Sequence, residues 1–437
     1  MHIHFTLAFA LMASMTLTVS ARQRVPERPR ILISTDIGGT DPDDNQSMMH
    51  FLLYASEFEC EGLVSSPSFG TGDKSEILRM IDLYEADLPK LKRHARRYPT
   101  ADRLRSVTKQ GRRGAAPLCG YATPTEGSEW IVRCARRHAT ETETGKREAP
   151  LYVLVWGGLE DVAQALHDAP DIAQRIRVYW IGGPNKKWSV NAYVYIIENF
   201  PDLWMIENNA SYRGFISDYK NPDRWNAGFY DHYAKGRGCL GKDFGRYLGG
   251  KPKLGDTPSL LYMMDGDPGV PERESWGGSF ERYASTPRHI FSRTTTAQDT
   301  ARVFSVIEWH VAGPVRNDIT PGQPCITLHI DRQEWEGYYM GDGDYMVRYS
   351  TYRTGTLPYS ITSEIAGFPV QDGQITISDT SPRTRQEADY AVGGHWYGDK
   401  WDEENRWNGH RGAMTVFRWR EKAMEDWGRR CRWLGGR

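Results

Sequence analysis

Two kinds of apolar pattern alternate along the first two thirds of the chain. Short apolar-rich runs occupy residues 31–36 (ILISTD), 60–65 (CEGLVS), 151–156 (LYVLVW), 177–181 (RVYWI) and 203–207 (LWMIE). Runs of this length, closed by Gly or Asp, predict strands covered on both faces. Between them, residues 48–54, 74–85, 125–138 and 159–166 carry apolar positions at helical spacing, with Thr125 placed as an N-cap. Strand and helix in alternation predict an α/β fold, a mostly parallel sheet with helices on both faces. Ligands of such sheets bind beyond the carboxyl ends of the strands. Asp36, Gly157-Gly158 and Gly182-Gly183 all fall at those ends, so three loops converge on one predicted crevice.

The texture changes after about residue 296. Residues 303–379 hold short alternating runs, VFSVIEWHV, CITLHI, YMVRYST, YSITSEI and QITIS, separated by Gly, Pro and Asp turns. That pattern predicts a small all-β sandwich. The Gly341-Asp342-Gly343-Asp344 tip reads as a hairpin turn. The chain ends in an amphipathic stretch, MTVFRWREKAMEDWGRRCRWL, that predicts a helix. The expected organisation is a leader at 1–21, an α/β domain at 22–295, an inserted β-sandwich at 296–380, and a return segment with the C-terminal helix at 381–437.

The leader is expected from the apolar run 5–19 followed by Ser20-Ala21, which reads as a secretory signal peptide. No other stretch has the roughly 20 apolar residues of a membrane span. The mature chain is therefore expected to be secreted or periplasmic. A net charge of -1 gives no reason to expect a nucleic-acid polymer or a membrane surface as partner. Homo-oligomerisation stays open. One stretch, residues 90–113, is strongly basic, with ten Lys and Arg against Asp102. It reads as a solvated face or as a rim attracting an acidic glycan. The 15 Trp and 23 Tyr read either as a rich aromatic core or as sugar-stacking surfaces. The six cysteines form no C-x-x-C pair, which argues against a zinc ribbon or thioredoxin site.

The densest chemistry lies in S34-T-D-I-G-G-T-D-P-D-D-N45. Asp36, Asp41, Asp43 and Asp44 place four carboxylates within nine residues. Unneutralised, they raise one another's pKa values. A hard divalent cation removes that conflict, and calcium takes six to eight oxygen ligands. A carboxylate beside such an ion is placed to act as a base toward water. A solvated acidic turn is the other reading of the same residues. The spacing is not that of an EF-hand.

The segment STDIGGTDPDDNQSMMHFLLY resembles the N-terminal aspartate motif of nucleoside hydrolases. It is closer still to a secreted bacterial branch of nucleoside-hydrolase-like proteins often found beside cellulose-binding modules. VLVWGGLEDVAQAL, IGGPNKKWSVNAY, NFPDLWMIENNASYRG, GDTPSLLYMM and SWGGSFERY extend the resemblance over roughly residues 30–290, and FRWREKAMEDW continues it near the end. The resemblance implies a nucleoside-hydrolase-like catalytic domain with one Ca2+ ion and hydrolysis at an anomeric carbon. It implies Asp36 as catalytic base and metal ligand, and Asp44, the backbone carbonyl of Glu160 and Asp256 as further metal ligands. Asp43, Asn185 and Asn191 fall where the family contacts its sugar. Trp156, Trp188 and Trp276 are expected around the crevice as substrate contacts.

The chain departs from the family in two places. Gly39-Thr40-Asp41 lengthens the aspartate loop and leaves Asp41 without a role, and Gly255 stands where nucleoside hydrolases have a His before the last aspartate. The β segment, carried by EWEGYYMGDGDYMVRYSTYRTGTLPYSI, resembles a small module that usually precedes glycoside hydrolase barrels. The expected function is a secreted, calcium-dependent hydrolase of glycosidic bonds in plant or algal glycan fragments. A nucleoside hydrolase and a non-catalytic carbohydrate-binding protein are the alternatives. Glu198, Glu207, Asp265 and Asp267 are the candidate proton donors.

Overall fold

All six residues of β1 (Arg30–Thr35) are buried, the apolar Ile31, Leu32 and Ile33 together with Arg30, which pairs with the buried Glu61. The strand's neighbours show why. In the computed structural model, which describes residues 28–39, 41–68, 72–137 and 149–435, β1 is a central strand of an eight-stranded sheet. The others are β2 (Glu59–Ser65), β3 (Thr108–Gln110), β4 (Leu151–Val155), β5 (Ile176–Ile181), β6 (Met205–Asn208), β7 (Phe280–Arg282) and a last strand, Trp396–Asp399. The order is β3-β2-β1-β4-β5-β6, then Trp396–Asp399, then β7. Every pairing is parallel except that of Trp396–Asp399 with β7.

Successive residues of the central strands feed two cores. Ile31, Ile33, Tyr152 and Leu154 enter one; Leu32, Val153 and Val155 enter the other. Helices Asp43–Tyr54, Lys74–His94 and Met414–Arg432 cover the first face. Helices Glu126–Arg136, Glu160–Asp168 and Val190–Asn199 cover the second. Thr125 caps Glu126–Arg136 as expected, in a reciprocal box with Ser128. The leader and His138 lie outside the described residues. Among the described residues, no helix is long and apolar enough to cross a membrane, and the six cysteines are free.

The all-β unit is one curled sheet of eight strands, not two separate sheets. Its edge strands, Arg288–Phe291 and Thr300–Arg302, are joined only by residues 292–299. A flat sheet of eight strands sets its edges about 34 Å apart, beyond the roughly 30 Å that nine extended steps reach. The sheet therefore folds over, and Thr295 ties its halves together. Thr295 accepts from Trp309 Nε1 at 3.1 Å, and its N–H donates to Tyr359 Oη at 2.7 Å. Strand Gln333–Gly341, absent from the alternating runs, forms a hairpin with Asp344–Tyr349. Asp342 and Gly343 at its tip both have positive φ, 51° and 79°, the geometry a two-residue hairpin turn asks for.

The two units meet at the helices that follow β5. Asn191 Nδ2 donates to Tyr338 Oη at 2.9 Å, Lys186 Nζ to the Phe304 carbonyl at 2.9 Å, and Lys187 Nζ to Gln333 Oε1 at 2.7 Å. After the β unit the chain returns to the α/β sheet. Asp399, at the end of the last strand, accepts N–H bonds from Asn209, Ala210 and Ser211.

Candidate functional site

β1 has β2 on one side and β4 on the other, so the direction of winding reverses between β1 and β4. The crevice at such a reversal is the preferred ligand site of an open α/β sheet. Asp36 follows β1 there, and Gly157 follows β4 two residues past its end. A Cβ on Gly157 would stand 2.8 Å from the Cβ of Asp36. Glycine at 157 is thus what lets the two strand ends close on each other.

Asp43 and Asp44 do not lie on a loop, as the Gly/Pro-rich sequence suggested. They form the first turn of helix Asp43–Tyr54, where the positive end of the helix dipole favours carboxylates. Thr35 donates its hydroxyl to Asp44. Asp256 comes from far along the chain, at the N-cap of helix Thr257–Met264. Carboxylate oxygens of Asp43, Asp44 and Asp256 lie within 4.8 Å of one another. Asp256 Oδ2 is buried with no hydrogen-bond partner.

Burial raises the carboxyl of Asp36 to about 6, against hydrogen bonds from Asp44 and Ser68. Burial likewise raises Asp43 to about 7, despite the nearby Lys253 ammonium. Asp44 and Asp256 are pushed well above the ordinary carboxylate range by burial and by the other aspartates. An all-oxygen donor set, crowded, buried and holding an orphaned oxygen, suits a hard cation such as calcium. Asp36, Asp43, Asp44 and Asp256 are the residues that would hold it.

A cavity of about 570 Å³ opens over this cluster. Asp36, Asp43, Asp44, Asp256, Trp156 and Trp188 of the expected set line it, as does Asn185. Trp156 is nearly fully buried and donates to Ser259 Oγ at 2.8 Å, so it shows the cavity little surface. The Asn185 amide donates to the Trp156 and Ile181 carbonyls at 2.7 and 3.0 Å and accepts from Ser68 at 2.6 Å. It braces the strand ends.

Three expected site residues lie elsewhere. Asn191 is buried between the two units, where its amide is bonded to the Ala116 carbonyl and to Tyr338; its placement does not support a substrate contact. Trp276 packs at the edge of the first core, with Lys422 over its ring at 5.3 Å, and does not line the cavity. Glu160 opens helix Glu160–Asp168. A carbonyl there points along the helix axis toward the helix's own N–H groups. Its side chain is buried beside Gly158 with Oε2 unpartnered. This geometry does not support the metal-ligand role given to its carbonyl.

The four candidate proton donors also miss the cavity. Glu207 is held by Lys186 and by Trp396 Nε1 deep in the sheet, and Glu198, Asp265 and Asp267 do not line the site.

Several cavity residues escaped the sequence reading. Lys253 pairs with Asp41 and lies 3.5 Å from Asp43, which gives the inserted Asp41 a partner. Its position three residues before Asp256 was the available signal. Tyr212 and Arg213 arrive on the turn after β6, within the matched segment NNASYRG. Gln333 and Tyr352 come from the β unit, and no local pattern marks them. Gly255 also finds its reason: a Cβ there would stand 2.4 Å from Asp43 Oδ2. A side chain at 255 would press on this carboxylate and require it to shift.

A parallel sheet with two helical layers and an acidic cavity at its β1/β4 reversal defines an α/β unit of the nucleoside-hydrolase type, joined to an all-β unit. Residues 30–280 match the family described as cellulose-binding Sde182, nucleoside hydrolase-like domain. The chain belongs to this family. Among solved structures, a nucleoside hydrolase-related protein from Saccharophagus degradans, described as associated with carbohydrate metabolism, is similar at 17% identity and a TM-score of 0.48. The match covers 80% of this chain and 100% of that one. A purine-preferring ribonucleoside hydrolase from Gardnerella vaginalis is similar at 13% identity and a TM-score of 0.35, over 59% of this chain and 83% of its own. An inosine-uridine preferring nucleoside hydrolase from Bacillus anthracis is similar at 14% and 0.35, over 60% and 86%. No functionally curated protein matches the chain.

Proposed function

We propose that this chain is an exported, calcium-dependent hydrolase of glycosidic bonds that acts on glycan fragments. The observation that carries this reading is the convergence of Asp36, Asp43, Asp44 and Asp256 on one cavity wall, with Asp256 Oδ2 buried and unpartnered. A calcium ion held there supplies charge neutralisation and Lewis acidity.

The chain's own groups define the rest. Asp36 faces the cavity and takes a proton from the water that attacks the anomeric carbon. The other aspartates offset positive charge developing on the sugar ring. Lys253 and Tyr212, both on the cavity wall, can donate a proton to a departing oxygen. Burial opposes the charge on Lys253, but Asp43 and Asp41 overcome it and keep the ammonium protonated.

Two features favour a saccharide over a nucleoside. Gly255 leaves no side chain where nucleoside hydrolases carry their His, and the family is described as cellulose-binding. That description also favours a second reading, a carbohydrate-binding protein without turnover. Screening polysaccharides, aryl glycosides and nucleosides with the mature chain separates the three. Sugar release from a glycan or aryl glycoside is expected. Turnover of nucleosides alone, or saturable sugar binding with no product, overturns the assignment.

A further inference from the structure

Three cations line the aspartate cavity: Lys187, Arg213 and Lys253. Lys253 is neutralised by Asp41 and Asp43. The other two are not. Among the described residues, neither Lys187 nor Arg213 has a carboxylate within 4.0 Å. Lys187 donates to the neutral Gln333 Oε1 at 2.7 Å and lies 4.8 Å from the Trp188 ring. Arg213 sits between two aromatic faces, with its guanidinium 5.3 Å from the Tyr212 ring and 5.7 Å from the Tyr352 ring. Holding two cations partly out of water with no ion pair, and only the longer-range attraction of Asp331 on Lys187 and of Asp43 on Arg213, is unfavourable. Aromatic faces offset part of that cost, and the Arg213 guanidinium, hydrogen-bonded to Tyr212, keeps further N–H groups for an anion in the planar geometry that guanidinium recognises.

A further hollow adjoins the cavity at this point. This second hollow, of about 290 Å³, shares Pro184, Tyr212, Arg213 and Tyr352 with the first. Arg213 therefore stands on the wall common to two adjoining hollows. The aspartate cluster lies in one of them, and the all-β unit contributes to the walls of both. The ten-residue basic series of 90–113 plays no part, since none of it lines either hollow. Arg105 and Arg113 are instead paired with surface acids.

We propose that the cavity takes an acidic oligosaccharide, with a carboxylate or sulfate on one sugar unit bound by Arg213 and Lys187 beside the common wall and the chain running on into the second hollow. This deepens the reading of the cavity as a glycan site and rests on it. Its test reads binding, so it stands apart from whether the chain turns glycan over.

Tryptophan fluorescence of the full chain is titrated with tetragalacturonate, with its fully methyl-esterified form, and with a sulfated tetrasaccharide. The acid is expected to bind about tenfold tighter than the ester at low ionic strength, with the gap narrowing as salt screens it. Arg213→Gln and Lys187→Gln are each expected to bring acid and ester to within about twofold of one another while leaving the ester's affinity in place. A sulfated ligand bound with the same Arg213 dependence identifies the anion as sulfate. Preference for tetragalacturonate alone identifies it as carboxylate. Equal affinity for acid and ester in the unaltered chain, binding of no acidic oligosaccharide, or equal loss of acid and ester in both variants overturns the proposal. If the variants change only the affinity for calcium, the two cations serve to offset the aspartates and the proposal fails.

Discussion

At the scale of single residues, the site depends on two glycines as much as on its aspartates. Asp36→Asn keeps the shape of the carboxyl and removes its basicity. It is expected to cut turnover by about 10²–10⁴-fold with sugar affinity nearly unchanged; retained turnover in steady-state kinetics sinks Asp36 as the base. Gly157→Ala puts a methyl group 2.8 Å from Asp36 Cβ. An expected loss of about 1–3 kcal/mol in a urea titration follows from such overpacking, together with weaker calcium binding. Gly255→His is expected to displace Asp43 and lower activity without creating a nucleoside hydrolase, as assays on inosine and uridine will check. The sequence exposed the aspartates because four acids in nine residues are hard to explain otherwise. Asp256 was visible only through the resemblance, since one Asp before a Thr-Pro helix start is an ordinary cap. Asn191 and Trp276 look the same in sequence whether they face a cavity or a neighbouring element.

At the scale of elements, the helix Asp43–Tyr54 aims two of the four aspartates, and the end of the chain holds that helix in place. Trp427 stacks on His50 at 4.6 Å and on Phe229 at 4.5 Å, and Tyr54 Oη donates to Asp426 at 2.5 Å. Trp427→Ala is expected to cost about 3–5 kcal/mol by chemical denaturation and to weaken calcium binding, although the residue touches no ligand. Unchanged calcium affinity in a titration calorimeter contradicts this coupling. The central strands were legible because residues covered on both faces are mostly apolar, the buried exceptions such as Arg30 and Glu61 being paired with each other. The start of the helix was less so, because Pro42-Asp43-Asp44 serves equally as a turn or as a first helical turn. In the β unit, short alternating strands specify which face is buried but not whether one sheet curls or two sheets stack. Thr295, which decides between them, carries no local signal.

At the scale of the whole molecule, the two units share one cavity, and its buried carboxyls are expected to couple stability to pH and to a bound cation. Asp36 and Asp43 hold their protons more tightly folded than unfolded, at about 6 and about 7 against an ordinary 3.8, because burial disfavours the charged form. Their contribution to stability is fully present below the unfolded value and is lost as pH rises through 6 and 7. Chelator-treated protein is therefore expected to lose Tm between pH 5 and pH 8. Calcium, which needs deprotonated ligands, is expected to raise Tm more at pH 8 than at pH 5. Equal gains at both pH values in a thermal-shift series contradict this coupling. The change in texture near residue 296 pointed to an all-β unit, but the unit's first strand, Arg288–Phe291, lies before that point, within the stretch expected to belong to the α/β domain. That Gln333 and Tyr352 reach the aspartate cavity could not be read at all, because contacts between distant elements leave no periodic trace. The most direct test of calcium-dependent glycoside hydrolysis is reducing-sugar release from a panel of glycans by the mature chain, before chelation, after it, and after calcium is restored. Release is expected to disappear with the chelator and to return with calcium. Release that persists through exhaustive chelation, or no release from any glycan in calcium-replete protein, contradicts the proposed function.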